Sequence, residues 1–304
     1  MPTASSTPVS ARVEPYADHF PTAAAPKPVK PRSRYRSLEF VLGAILTGVM
    51  ILLVLTSGWL FPDGGESMDL ASRLMAPFAS PAHPFGTDPL GRDVLARVIV
   101  GGKISLMVGF ASVIGGALLG IVMGLIAGYY RGFWDMVVMR FADVQLALPF
   151  ILVAITFIAI LGGGLFNVIF FMIVSQWVQY ARLVRAQVLA LREREFVLAA
   201  RAFGVRDLAM IRHHIVPNLL GPLVILMTLN VANNILLESS LTFLGLGVDP
   251  MIPSWGGMLA DGRTYMQTAW WVSVFPGLAI MLTVLGLNLL GDWLRDRLDP
   301  TGKV

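Results

Sequence analysis

Five long stretches of this 304-residue chain carry no Asp, Glu, Lys or Arg: residues 40–62, 104–130, 144–181, 215–237 and 264–291. A helix that crosses the hydrocarbon layer of a membrane needs roughly 20 apolar residues, because every backbone polar group in lipid must be hydrogen-bonded within its own segment. Each stretch meets that length, and the third is long enough for two crossings. Gly162, Gly163 and Gly164 lie in its middle, where a tight turn calls for residues that tolerate positive φ, so it divides there. The expectation is an all-α integral membrane protein with six transmembrane helices, at about 38–61, 104–130, 136–161, 165–181, 216–238 and 268–291. Composition agrees, since 56% hydrophobic and 14% charged residues is not a balance that a water-exposed surface supports.

The basic residues orient these spans. With the N-terminus inside, Arg73, Arg92, Arg97, Lys103 and Arg263 are the only ones of the 23 Lys and Arg residues left outside, the asymmetry expected when both termini are cytoplasmic. The net charge of +4 is therefore read as orienting charge, with no nucleic-acid partner. Residues 1–35 are rich in Pro, Ala and Ser without an apolar period, and are expected to be a flexible cytoplasmic tail ahead of a membrane domain over 36–304. Basic residues precede a long apolar segment rather than a short one at the very start, so span 1 is expected to stay attached. The chain has no cysteine, which removes disulfides, thiolate catalysis and cysteine metal sites. The outside segment of about forty residues between spans 1 and 2 reads either as a surface connector or as a contact for an external protein.

The cytoplasmic segment 182–215 is charged, helix-favouring and held by a span on each side. Glu195, Leu198, Ala199 and Ala202 recur at helical spacing on one face, and Gly204 suits a left-handed helix end. Asp207 is placed to cap the next helix, and Pro217 to open span 5, where a missing amide proton costs little. Ala199, Ala200 and Ala202 would expose a flat, backbone-rich surface that a partner's groove can approach. Arg194, Glu195, Arg201 and Arg206 would supply orienting charge. Without a partner the same pattern would be a basic amphipathic loop at the lipid surface.

The stretch Leu198-Ala-Ala-Arg-Ala-Phe-Gly204, followed by His214-Ile-Val-Pro217, resembles the cytoplasmic signature of importer permeases of the ATP-binding cassette class. The commonest form of that motif begins with Glu, where this chain has Leu198, with Glu195 one turn earlier. Phe85-Gly-Thr-Asp-Pro-Leu-Gly-Arg-Asp-Val-Leu95, Leu237-Glu-Ser-Ser-Leu-Thr-Phe-Leu-Gly-Leu-Gly247, Pro253-Ser-Trp-Gly-Gly-Met-Leu259 and Asn288-Leu-Leu-Gly-Asp-Trp-Leu-Arg-Asp-Arg-Leu-Asp-Pro300 narrow the resemblance. They point to the dipeptide, oligopeptide and nickel branch, and within it to the C-type subunit. The resemblance implies a type I importer permease in a bacterial plasma (inner) membrane. It would pair with a homologous B-type permease, two ATPase subunits and an extracytoplasmic substrate-binding protein. The segment 195–217 would dock on an ATPase. ATP and Mg would be bound by the ATPases, and no cofactor by this chain.

Other classes are less well supported. No phosphate-cradling Gly-x-x-x-x-Gly-Lys-Ser/Thr loop is present, and His19, His83, His213 and His214 have no nucleophile or metal partner at a recognised spacing, so neither catalysis nor a metal site is expected. An exporter or ion-coupled secondary carrier is the alternative function. A coupled carrier would be expected to hold ionisable groups at membrane depth, whereas Glu238 and Asp143 lie near span ends and are read as helix caps. Asn230, Asn233 and Asn234 form a polar stripe on span 5. With Glu238 they either line a translocation path or hydrogen-bond between helices. Gly115, Gly116, Gly120 and Gly124 are read as sites of close helix approach.

Overall fold

The computed structural model describes residues 33–298, and among these the fold is helical without a β-sheet. The long helices are α1 (Ser33–Leu60), α2 (Val94–Leu125), α3 (Gly132–Ala147), α4 (Phe150–Leu161) and α5 (Leu165–Arg192), followed after a break by α8 (Val216–Phe243) and α10 (Trp271–Leu298). Between α5 and α8 lie α6 (Glu195–Ala202) and α7 (Asp207–Met210), and between α8 and α10 lies α9 (Trp255–Arg263). Two wide π-helical turns extend the rods, Ile126–Tyr130 after α2 and Ile211–Ile215 before α8. The expected tail falls almost wholly outside the described residues.

Four segments are long and apolar enough to cross a membrane: Leu38–Leu60, Val94–Tyr130, Asp207–Phe243 and Trp271–Leu298. The α3–α4 pair makes a fifth when taken as one span, but it is bent by 95°, not the single rod expected over 136–161. The cause is Pro149. Its ring disfavours helical geometry in the preceding residue, and Leu148 is extended at φ −92°, ψ 132°. Length and apolarity alone therefore do not give six spans. α5 is 28 residues long, but Asn167, Gln176, Gln179, Arg182 and Arg185 make it more polar than the other rods. The second span also starts earlier than expected. Asp93 caps α2 by accepting from the Ala96 amide at 2.7 Å, so the run Gly102–Leu106 is already helical.

Small residues let the rods touch. α2 lies along α5, where a Cβ placed on Gly120 would stand 2.5 Å from the Trp177 carbonyl oxygen and from Tyr180 Cβ. α8 packs on α2 and α10, with Gly109 against Ile235 and Gly291 against Leu229. α1 meets α10 at Gly43 and Gly286, and the rings of Phe40 and Trp293 are 4.4 Å apart. The turn at Gly162–Gly164 forms as expected, with φ of 82° at Gly162 and 118° at Gly164. α2, α3, α4 and α5 enclose an apolar groove of about 950 Å³, with Trp134, Phe141, Phe157 and Phe171 among its walls.

The segment between α1 and α2 is pinned to this bundle. Trp271 donates its indole N–H to the Thr87 carbonyl at 3.0 Å, and His83 Nδ1 stands 2.8 Å from Asp93 Oδ2. Asp88 is fully buried, and its Oδ2 accepts from Arg92 Nε and Arg97 Nη1, each at 2.6 Å. Asp261 of α9 approaches the same guanidiniums at 3.7 to 4.0 Å. Burial pushes the Asp261 carboxyl above the usual range, and Arg97 and Arg92 pull it part of the way back.

Candidate functional site

The segment joining α5 to α8 forms the expected helix, turn and helix. Gly204 ends α6 in the left-handed region at φ 77°, with its N–H donating to the Arg201 carbonyl at 3.0 Å and the Val205 N–H to the Ala200 carbonyl at 3.2 Å. A single residue faces inward from α6: Val197 is buried in the main core, with Ala200 packed beside it. The opposite side is open. Glu195, Leu198, Ala199 and Ala202 are all exposed, as are Arg194, Arg201, Gly204 and Arg206, while Ala200 is half-buried.

The same surface carries large apolar groups that the sequence pattern did not single out. Phe203 is 89% exposed and Leu208 77% exposed, with Phe196 half-exposed nearby. Apolar side chains of this size held out on an ordered turn mark a contact surface for another protein or for lipid. Phe203 directly precedes the glycine, so its position in the motif was the one available signal.

Asp207 is exposed and is the first residue of α7, not its cap. The cap position belongs to Arg206, and Asp207 Oδ1 instead accepts from the Tyr129 hydroxyl at 2.6 Å. Pro217 stands in the first turn of α8 as expected. Arg192, at the end of α5, donates to the backbone carbonyls of Tyr129 and Gly128, and its guanidinium lies 5.5 Å from the centre of the Tyr129 ring. Tyr129 and Arg192 were not among the candidates, because Tyr129 meets Asp207, and Arg192 meets Tyr129, across more than sixty residues.

The asparagine stripe divides. Asn234 is fully buried and joins three helices, donating to Ser112 Oγ of α2 at 2.7 Å and accepting from Gln176 Nε2 of α5. Asn230, also buried, donates to the Tyr180 hydroxyl at 2.9 Å and to Gln179 Oε1 at 3.3 Å. Asn233 is exposed. Glu238 is not a cap: it is fully buried inside α8, where Thr242 Oγ1 donates to it at 2.9 Å and Ser239 Oγ at 3.3 Å. Asp143 is not a cap either, but pairs with Arg182 of α5 at 2.5 Å. Among the described residues no group of His, Asp and Glu side chains could hold a metal ion.

An apolar helical bundle of this kind, with an ordered helical segment exposed at one end, is a multi-pass membrane protein. Comparison with known proteins gives the class a family. Residues 120–303 match the binding-protein-dependent transport system inner membrane component family. The chain is 43% identical over 263 residues to the dipeptide transport system permease protein DppC of Alkalihalophilus pseudofirmus, covering 86% of each chain. It is 40% identical over 273 residues to a putative peptide transport system permease protein of Brucella suis, covering 90% of this chain and 91% of the relative. It is 42% identical over 269 residues to the glutathione transport system permease protein GsiD of Escherichia coli O6:K15:H31, covering 88% of each. The chain belongs to the binding-protein-dependent transport system inner membrane component family, and is a permease subunit of an ATP-binding cassette importer.

Proposed function

We propose that the chain forms half of a translocation pore for dipeptides, oligopeptides or a related small solute, driven through the α6–α7 surface by a partner ATPase. Leu198, Ala199, Ala202, Phe203 and Leu208 would fill the ATPase's groove, while Arg194, Glu195, Arg201 and Arg206 would set its register, with Ala200 supporting the surface from behind. The exposed, ordered apolar surface at Phe203 and Leu208 is the observation that carries this reading. The peptide substrate is supported by the relatives, two of which are named for peptide and one for glutathione transport.

The complex would comprise this chain, a homologous B-type permease, two ATPases that bind ATP and Mg, and an extracytoplasmic binding protein in a bacterial inner membrane. This chain would hydrolyse nothing. Six spans result when the bent α3–α4 pair is one crossing and α5 another, with both termini cytoplasmic. The distribution of Lys and Arg supports that topology. The exposed Asn233 is the member of the stripe best suited to face a peptide in transit, while Asn230, Asn234 and Glu238 would shape the wall behind it.

The test is Gly204→Trp in the reconstituted complex. A side chain there meets nothing within 4 Å, so it projects into the docking surface, and the left-handed backbone adds a strain of about 1–2 kcal/mol. Stimulation of ATP hydrolysis by the binding protein should be lost while the permease pair still elutes as a folded complex. Unchanged stimulation would remove the docking role from this segment.

A further inference from the structure

We propose that Tyr129 is a positioning residue, the joint through which movement of the α6–α7 segment enters the membrane bundle. The inference builds on the docking role proposed above and names what carries the motion onward.

Tyr129 is buried in the π-helical turn that ends α2. Its hydroxyl donates to Asp207 Oδ1 of α7 at 2.6 Å, its carbonyl accepts from Arg192 Nη1 of α5, and its ring lies under the Arg192 guanidinium. Arg201, in the last turn of α6, lies beside the same hydroxyl. One residue thus touches the ends of α5, α6 and α7 from the end of α2. The bond to Asp207 is the hydrogen-bonded tie from the end of α2 to the start of α7, whose other end is packed in the core by Met210, and it is strong in kind because its acceptor is a carboxylate.

A second observation concerns stiffness. The two rods that meet the segment, α2 and α8, both pass through a π-helical turn next to this joint, at Ile126–Tyr130 and Ile211–Ile215. Such a turn inserts a residue into the hydrogen-bond ladder and is common at functional sites. Both rods thus have a place where a helix can bend beside the point where the segment is tied to them. A push on α6 would be passed by the Tyr129–Asp207 bond and absorbed as a change in these wide turns, tilting α2 and α8. Loss of the hydroxyl leaves the turns and the Arg192 grip in place and removes the tie to Asp207 together with the neighbouring contact to Arg201.

Tyr129→Phe in the full complex, reconstituted with its ATPases, isolates the hydroxyl. The chain has no cysteine, so Asn233→Cys on the exposed face of α8 serves as a reporter, and its labelling rate by a maleimide is measured with and without ATP. With Tyr129 intact, ATP should change that rate. In Tyr129→Phe the response should shrink by about tenfold or more, the scale set by one hydrogen bond to a charged group, while the ATPases still co-purify and hydrolyse ATP. Asp207→Asn, which keeps an acceptor oxygen, should hold most of the response, and Asp207→Leu should lose it. The double variant Tyr129→Phe/Asp207→Leu should be no worse than either single variant, because both remove one bond.

An undiminished response in Tyr129→Phe overturns the proposal, as does a double variant whose losses multiply. A labelling rate indifferent to ATP with Tyr129 intact overturns it too, since no motion then reaches α8. Failure of Tyr129→Phe to assemble would assign the residue to folding instead. The docking role is judged separately by the Gly204→Trp result, which does not depend on Tyr129.

Discussion

Replacing Asn234 with Leu tests whether the polar stripe of α8 holds the bundle together. The two side chains have the same branching and heavy-atom count, so no cavity is left, and the larger methyl groups can only add crowding to the cost in hydrogen bonds. Two interhelical bonds disappear, to Ser112 and to Gln176. Such bonds in a membrane bundle average about 0.6 kcal/mol and reach about 1.7. Ser112 keeps its own bond to the Val108 carbonyl at 2.7 Å. Gln176 does not fare as well: its Oε1 is already buried without a partner, and losing Asn234 would strand the whole amide, at a further cost of about 1–3 kcal/mol. The sum is roughly 2–4 kcal/mol. Asn233→Leu, one residue away but exposed, should stay within about 0.5 kcal/mol of the parent chain. Unfolding of the purified chain in mixed micelles, titrated with a denaturing detergent and followed by tryptophan fluorescence, measures both. An Asn234→Leu chain as stable as the parent would refute the reasoning, and so would equal damage from Asn233→Leu.

Asp88→Ala should cost about 3–5 kcal/mol, because Arg92 and Arg97, both buried, lose the carboxylate they share and keep only Asp261 at 3.7 to 4.0 Å. Thermal unfolding in detergent measures it, and a loss below about 1 kcal/mol would show that Asp261 or water compensates. Asp261 itself gives a pH effect. A carboxyl raised by burial above its ordinary 3.8 makes the folded state bind more protons than the unfolded one, so its contribution is most favourable at low pH and declines as pH rises above 3.8. Asp261→Asn should therefore flatten this part of the stability profile, and parallel profiles for the two chains would contradict the assignment.

How far the sequence led can be argued from a few residues. Gly162–Gly164 was legible because a turn between two apolar rods needs positive φ, and Gly204 for the same reason at a helix end. Pro149 carried an equally local signal, yet the uninterrupted apolar run around it suggested one continuous rod. Glu238 and Asp143 were misread as caps because a charge-free window marks where charges occur and not where a helix ends, and Asp207 was misread by one residue, since Arg206 holds the cap position. Each of the three instead bonds to a neighbouring side chain. Tyr129 was illegible for a different reason, since its partner lies 78 residues away and no periodicity connects them.

The underdetermined span, α5, shows what hydropathy measures. It reports how well a helix suits lipid, whereas α5 faces protein along much of its length, burying Tyr180 and Val184 in the main core, Gln176 against Asn234 of α8 and Phe171 against α4. A helix enclosed in this way can carry amides and a tyrosine hydroxyl, because Asn230 bonds to Tyr180 and Gln179 and Asn234 to Gln176. A helix with polar partners of this kind is consequently one that an apolar window undervalues. The same logic separates structural polarity from functional polarity within the spans. Asn230, Asn234 and Glu238 have partners in this chain and their removal should first be felt as instability, whereas Asn233 has an exposed side chain, so its replacement should be felt as a change in what the assembled pore lets through.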